Sequence, residues 1–209
     1  MTPRTPLFLL IPLLLLAACN DVPTTSSNLF PYPKTGDQLV PLAIGNTWVY
    51  RNMLTGEIGT PTAPYFISEI TGFGEYKGWI PNPKTGEIDH SEDCILLELP
   101  YFTHGTAAYG VTFGGILFGT LETEGVMVRR SLPQNPVVGG TYSYDKSLMC
   151  TAVEQVTVPA GTFQCYRFTL NGPRKLYWWS RGTGLIQHKA FGDQGELVEH
   201  WGLDSYTLR

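Results

Sequence analysis

Two histidines near the end of the chain, His188 and His200, are the first candidates for metal chemistry. The stretch between Phe191 and Glu196 has the glycine spacing of a hairpin turn, which would pair Gly192 with Glu196 and place His188 opposite His200. Two imidazoles about 5 Å apart across a hairpin could begin a metal site. Such a site needs further protein ligands, and since none has matching spacing, ordinary surface histidines are the preferred interpretation.

A second group of metal-type donors lies between Asp89 and Cys94. These six consecutive residues include three carboxylates, an imidazole and a thiol, which are donors that Zn²⁺ or Ca²⁺ accept. No other cluster with metal spacing accompanies them. We therefore interpret the segment as a solvated loop entering a strand, and the sequence predicts neither a metal nor a cofactor.

Three cysteines, Cys94, Cys150 and Cys165, could form a disulfide or supply a nucleophile. A turn at Pro159–Gly161 that pairs Val158 with Thr162 would place Cys150 and Cys165 on opposite faces of one hairpin, several residues apart. Unless a bulge intervenes, that distance exceeds the span of a disulfide. A pairing through Cys94 is equally compatible with the sequence, and the connectivity stays open. A nucleophilic thiol would also need a neighbouring base and a lowered pKa.

Aromatic residues in two segments could line an apolar ligand site. One segment, residues 107 to 119, is rich in glycine and carries Phe113 and Phe118; the other carries the consecutive rings Trp178 and Trp179. Neighbouring residues of a strand point to opposite faces, so the tryptophans must serve both sides of a sheet. They fit either a ligand-lining surface or, as the alternative, a strand buried on both faces.

An export signal with a lipid attachment site precedes the rest of the chain. The uninterrupted apolar run from Leu7 to Ala18 has the length of a signal-peptide core and is too short to span a bilayer. Its end, Leu16-Ala17-Ala18-Cys19, resembles the lipobox read by lipoprotein signal peptidase. The sequence thus predicts that residues 1 to 18 are removed and that Cys19 receives diacylglycerol and an N-acyl chain, which anchor the protein to a membrane.

The residue after Cys19 bears on the choice of membrane. In lipoproteins of Gram-negative bacteria an aspartate at this position is the usual signal for retention in the inner membrane, whereas this chain has Asn20. The prediction is the outer membrane, if the envelope has one.

Composition and the distribution of glycine and proline limit the possible folds of the rest of the chain. Without Arg4, 13 Lys and Arg face 18 Asp and Glu, and no basic patch for nucleic acid is present. The 23 glycines and 16 prolines are spread among β-branched and aromatic residues, which indicates short strands joined by tight turns. We predict a flexible tether at 19–37 and one antiparallel β domain at 38–209, with no long helix.

Three stretches carry a resemblance to a known pattern. They are Pro41 to Tyr50 (PLAIGNTWVY), Val156 to Tyr166 (VTVPAGTFQCY), and Tyr177-Trp178-Trp179 followed by Gly182 to Ile186. In this order they resemble uncharacterised bacterial secreted proteins and lipoproteins. The resemblance implies an antiparallel β domain without known catalytic residues. A looser similarity of architecture to the half-barrel carriers that escort lipoproteins through the periplasm implies a strongly curved sheet.

Three classes of function remain at this point. The leading prediction is a non-enzymatic, membrane-anchored module that binds an apolar ligand or an envelope protein. A carrier or acceptor of lipid or lipoprotein is the second. A hydrolase or redox enzyme is the third, although no nucleophile elbow, zinc-protease motif or phosphate loop is present.

Overall fold

The computed structural model describes residues 39–41, 43–59, 66–70, 72–81, 88–98, 107–112, 115–121, 125–133, 135–142 and 147–209, with residues 72–131 described as strand backbone. Its regular elements are all strands: β1 (Thr47–Asn52), β2 (Ile58–Gly59), β3 (Gly72–Pro81), β4 (Ile88–Glu98), β5 (Ala107–Thr112), β6 (Gly115–Leu121), β7 (Gly125–Pro133), β8 (Leu148–Val158), β9 (Gly161–Leu170), β10 (Lys175–Ser180), β11 (Gly184–Phe191) and β12 (Leu197–Thr207). The described residues include no helix long and apolar enough to cross a membrane.

Seven strands form an open antiparallel sheet in the order β2-β1-β12-β11-β10-β9-β8. The predicted all-β fold is therefore confirmed. The remaining strands, β3 to β7, form a second sheet in which each strand pairs with the next, and a parallel pairing of β3 with β7 closes it. A parallel pairing between strands distant in sequence leaves no signature in hydrophobic alternation, so the sequence did not reveal this second sheet.

The β8–β9 hairpin shows how the sheet curls. Pro159 and Ala160 form a two-residue turn, so Val158 pairs with Gly161 and the predicted pairing of Val158 with Thr162 was wrong by one residue. At the tip, the Ala160 amide donates a hydrogen bond of 3.0 Å to the carbonyl oxygen of Leu203 in β12. Because β9, β10 and β11 lie between β8 and β12 in the sheet, this contact requires strong curvature.

The curvature gives the sheet two unlike faces. We call the concave side the inner face; Val158 of β8 and Gly202 of β12 meet there, with a Cβ at Gly202 falling 3.1 Å from the Val158 Cγ1 atom. A larger residue at Gly202 would push the two strands apart. The convex side, called the outer face, carries most of the hydrophobic core, including Tyr50, Phe168, Tyr177, Ile186 and Leu203.

Segments outside the strands cover the outer face. Phe66 packs edge-on against Tyr50 at a centroid distance of 4.8 Å, and Leu39, Val40 and Ile70 are buried in the same core. Trp48 is anchored by a 2.6 Å hydrogen bond from its Nε1 to the carbonyl oxygen of Thr183. Gly184 follows with φ +103°, and a Cβ there would lie 3.2 Å from that Nε1, so both the backbone conformation and the close indole favour glycine.

Candidate ligand-binding face

The two histidines considered as a possible metal pair lie on opposite faces of the sheet. The predicted turn is present, since the Gly192 amide donates to the Glu196 carbonyl, but the register shifts between Ala190 and Phe191. His188 consequently pairs with Trp201, and His200 pairs with Lys189. The predicted pairing of His188 with His200 was wrong because a bulge adds one residue and reverses which side chains share a face. No group of three or more metal-type side chains occurs within the described ranges.

His188 is a buried structural histidine of the outer face, so its interpretation as an ordinary surface histidine was wrong. Its side chain is 2% exposed, and its ring stacks on Tyr177 at 4.5 Å and meets Phe66 edge-on at 5.7 Å. The ring nitrogens lie 3.1 Å from the Leu176 carbonyl oxygen and 3.2 Å from a Glu199 carboxylate oxygen. Burial lowers the pKa of His188, although the Glu199 hydrogen bond opposes the shift. The imidazole of His188 is therefore neutral in the folded protein at neutral pH.

This burial predicts acid destabilisation. Because the folded pKa of His188 lies below the unfolded value near 6.5, the unfolded chain binds more protons between these two values. The contribution of His188 to the free energy of unfolding is therefore fully present above about pH 6.5. It is lost as the pH falls toward the folded pKa, at up to about 1.4 kcal/mol per pH unit. We expect the urea midpoint to fall between about pH 7 and 5.

A His188→Gln variant separates this effect from the protonation of carboxylates. Its midpoint should be lower at pH 7 but should change less with pH than that of the wild type. His200→Gln serves as the comparison, because burial also lowers the pKa of His200. An unchanged pH dependence in His188→Gln would contradict the assignment.

The inner face carries a network of polar side chains around Trp178. The indole Nε1 donates a 2.6 Å hydrogen bond to the Oε1 atom of Glu154. A guanidinium nitrogen of Arg167 lies 3.4 Å from the same oxygen, and the Arg167 Nε donates at 3.0 Å to the Thr151 hydroxyl. Arg167 and Glu154 are 33% and 39% exposed, so this pair lies at the boundary between core and solvent and contributes little stability by itself.

Lys189 and His200 continue the inner face beside this network. They are direct cross-strand partners on β11 and β12, and the Lys189 ammonium lies 5.5 Å from the centroid of the Trp178 ring, a cation–π distance. The Nε2 atom of His200 is buried without a hydrogen-bond partner. Burial, Lys189 and His188 all lower the pKa of His200. Its neutral ring therefore lies beside the positive charge of Lys189, which forms no ion pair with a carboxylate among the residues that the structure describes.

The thiols of the β8–β9 hairpin are buried, and burial raises the pKa of both. Cys150 and Cys165 are both 0% exposed and free; Cys165 pairs with Glu154 and Cys150 with Phe168, which places them on opposite faces. Burial and the nearby Glu154 carboxylate raise the pKa of Cys165 to about 12, and burial raises that of Cys150. At neutral pH neither thiol supplies the thiolate that nucleophilic or redox chemistry requires.

The tryptophans proposed as ligand-lining residues are both buried. Trp178 is 5% exposed and Trp179 is 2% exposed, as expected for a strand covered on both faces. Phe113 lies outside the described residues, as do the side chains of Phe118 and Cys94. The lipidation site, Cys19, lies outside them as well.

The sequence did not single out the polar residues of the inner face. Glu154, Arg167 and Lys189 come from three different strands, and no local motif joins them. One sequence pattern could have indicated them: Arg167 is next to Phe168, and Lys189 is next to His188. Adjacent residues of a strand point to opposite faces, so the charged residues lie on the face away from the core. The one-residue errors in hairpin register prevented these positions from being assembled into one site.

No protein-family model matches the chain, and no curated protein sequence matches it. Among solved structures, it is similar to a protein assigned as a lipoprotein from Parabacteroides distasonis, with 12% identity and a TM-score of 0.41, over 81% of this chain and 98% of the other. It is also similar to a protein assigned as exported, with a YmcC-like fold, from Bacteroides fragilis. That match has 12% identity and a TM-score of 0.41, over 82% of this chain and 99% of the other. Neither similarity bears on the function of this chain.

Proposed function

We propose that this chain is a bacterial lipoprotein whose β domain is held at the outer membrane by acyl chains on Cys19 and acts there as a non-enzymatic binding module. The main support for membrane anchoring is the apolar run from Leu7 to Ala18, which ends directly at Cys19. A segment of this length inserts into the export machinery but does not span a bilayer. Acylation of the cysteine converts export into anchoring.

The binding role is supported by the unlike faces of the curved sheet. The outer face is filled with core side chains, whereas the inner face presents the partly exposed Arg167 and Glu154 together with Lys189. Charged groups at the edge of a concave surface are what a binding site uses to orient a ligand. Because the thiols of Cys150 and Cys165 are held protonated by burial, the binding role fits these residues better than thiol chemistry does.

Mass spectrometry of the N-terminal peptide tests the anchor. In protein purified from its own membrane, we expect Cys19 to be the first residue and to carry a thioether-linked diacylglyceryl group and an amide-linked acyl chain. Mild alkali should remove the ester-linked chains and leave the amide. A mature N-terminus at any other residue, or an unmodified Cys19, would contradict the proposal.

An Asn20→Asp substitution tests the choice of membrane. Since aspartate after the lipidated cysteine is the usual retention signal, we expect this variant to move from the outer to the inner membrane fraction of a Gram-negative host while remaining acylated. Asn20→Ser, which introduces no carboxylate, serves as the control and should stay in the outer membrane. Equal distribution of the two variants after sucrose-gradient fractionation would contradict the proposed sorting.

A further inference from the structure

We propose that the inner face binds the anionic headgroup of an amphiphile, a carboxylate or a phosphate, between Lys189 and His200. This inference rests on the proposed binding role and names its ligand class. The apolar part of the ligand contacts methionine and leucine side chains that border these two residues.

The strand register places Lys189 and His200 side by side, with Arg167 on the same face two strands away from Lys189. One cross-strand row of the inner face runs Met149, Thr169, Leu176, Lys189 and His200, each residue being the direct partner of the next. The adjacent row contains Ala152, Arg167, Trp178, Gln187 and Gly202. Residues two apart on a strand share a face, so Lys189 and Arg167 lie on the same side of the sheet in neighbouring rows.

The charges of the two rows are unbalanced. Glu154 accepts hydrogen bonds from both Trp178 and Arg167 and offsets one cation. Within the described part of the chain, no carboxylate forms an ion pair with Lys189. The buried Nε2 of His200 has no hydrogen-bond partner, and leaving a buried polar atom unpaired is costly. An anion bound between Lys189 and His200 neutralises the charge of the Lys189 ammonium and accepts a hydrogen bond from the Nε2 atom of His200.

Apolar side chains border the site on the same face of the sheet. Met149 ends one row and is 37% exposed. Met53 is 40% exposed, its amide donates to the His200 carbonyl, and its sulfur lies 3.3 Å from the position of a Cβ on Gly202. Leu176 pairs with Lys189 and is partly exposed. Methionine adapts its shape readily, which suits contact with a flexible alkyl chain more than with a rigid polar ligand.

The histidine ring reports directly on occupancy. We would reconstitute the mature lipidated protein in phosphatidylcholine nanodiscs, label histidine with ¹³C, and assign the His200 resonance with a His200→Gln variant. Hexyl phosphate should raise the measured pKa of His200, because a nearby anion favours the imidazolium form. Inorganic phosphate should act at least about tenfold more weakly, since it lacks the alkyl chain. The pKa of His188, on the other face, should not move.

Matched lysine variants locate the anion. Lys189→Met should weaken the apparent affinity for hexyl phosphate about tenfold or more, and Lys189→Arg should retain it. Lys175→Met is the control, because Lys175 pairs with Ala190 and Leu170 and lies on the outer face. Near-ultraviolet circular dichroism checks that each variant is folded.

Four results would overturn the proposal. They are an unchanged pKa of His200, an equal effect of inorganic phosphate and hexyl phosphate, an equal effect of the cationic amphiphile hexylammonium, and equal losses of affinity in Lys189→Met and Lys175→Met. Acylation of Cys19 is read from the mass of the N-terminal peptide and the site from the His200 resonance. Failure of the anchor and failure of the site are therefore distinguished.

Discussion

A Cys19→Ala precursor should incorporate no palmitate and should keep residues 1 to 18. Only the thiol of Cys19 can form the thioether to diacylglycerol, and lipoprotein signal peptidase acts on the acylated form. Each CH₂ group buried in a bilayer contributes about 0.8 kcal/mol, so two or three acyl chains make attachment effectively permanent, and their loss should release the chain from lipid-dependent anchoring. The expected change is therefore complete loss of label.

Metabolic labelling with palmitate, followed by separation of precursor from mature chain by mass, measures this outcome. Cys165→Ala is the matched control, because its thiol is fully buried within the β domain and is not expected to accept lipid. That variant should be labelled and processed like the wild type. Persistent label in Cys19→Ala, or loss of label in Cys165→Ala in folded protein, would contradict the assignment of the lipidation site.

Trp179→Ala should lower the free energy of unfolding by about 3–5 kcal/mol, the range for truncating a buried aromatic side chain. The ring is 2% exposed in the hydrophobic core, and its strand is hydrogen-bonded on both sides, to β9 and to β11. The surrounding strands cannot collapse into the space of an indole without breaking these ladders. The loss thus includes both the transfer of apolar surface and the cavity.

Urea denaturation of the mature lipidated protein in nanodiscs measures this loss. Val198→Ala is the surface control: Val198 is 50% exposed at a bulge of β12, and its truncation should cost under about 1 kcal/mol. If Trp179 instead lined an open ligand site, its truncation would leave the midpoint nearly unchanged and would impair ligand uptake. Such a result would remove Trp179 from the core.

The hairpins show why the site could not be assembled from the sequence. Glycine and proline spacing located the turns near Pro159 and Gly192 correctly, because turn chemistry is local. The pairing on either side depends on turn length and on bulges: the β8–β9 register shifts between Cys150 and Ala152, and the β11–β12 register shifts between Ala190 and Phe191. One residue of error moves a side chain to the other face, and His188 and His200 were misplaced for this reason.

The sequence by itself determined the features that depend on neighbouring residues: the apolar run ending at Cys19, the strand-forming alternation, the turns, and the β class of the fold. The tertiary structure alone decided which side chains meet. The curl that joins Ala160 to Leu203 separates an inner from an outer face. The pairing and register of the neighbouring strands β8 to β11 bring Glu154, Arg167, Trp178 and Lys189 together on the inner face. The physical reason is that turn and propensity energies act within a few residues, whereas register, bulges and sheet curvature are set by long-range packing.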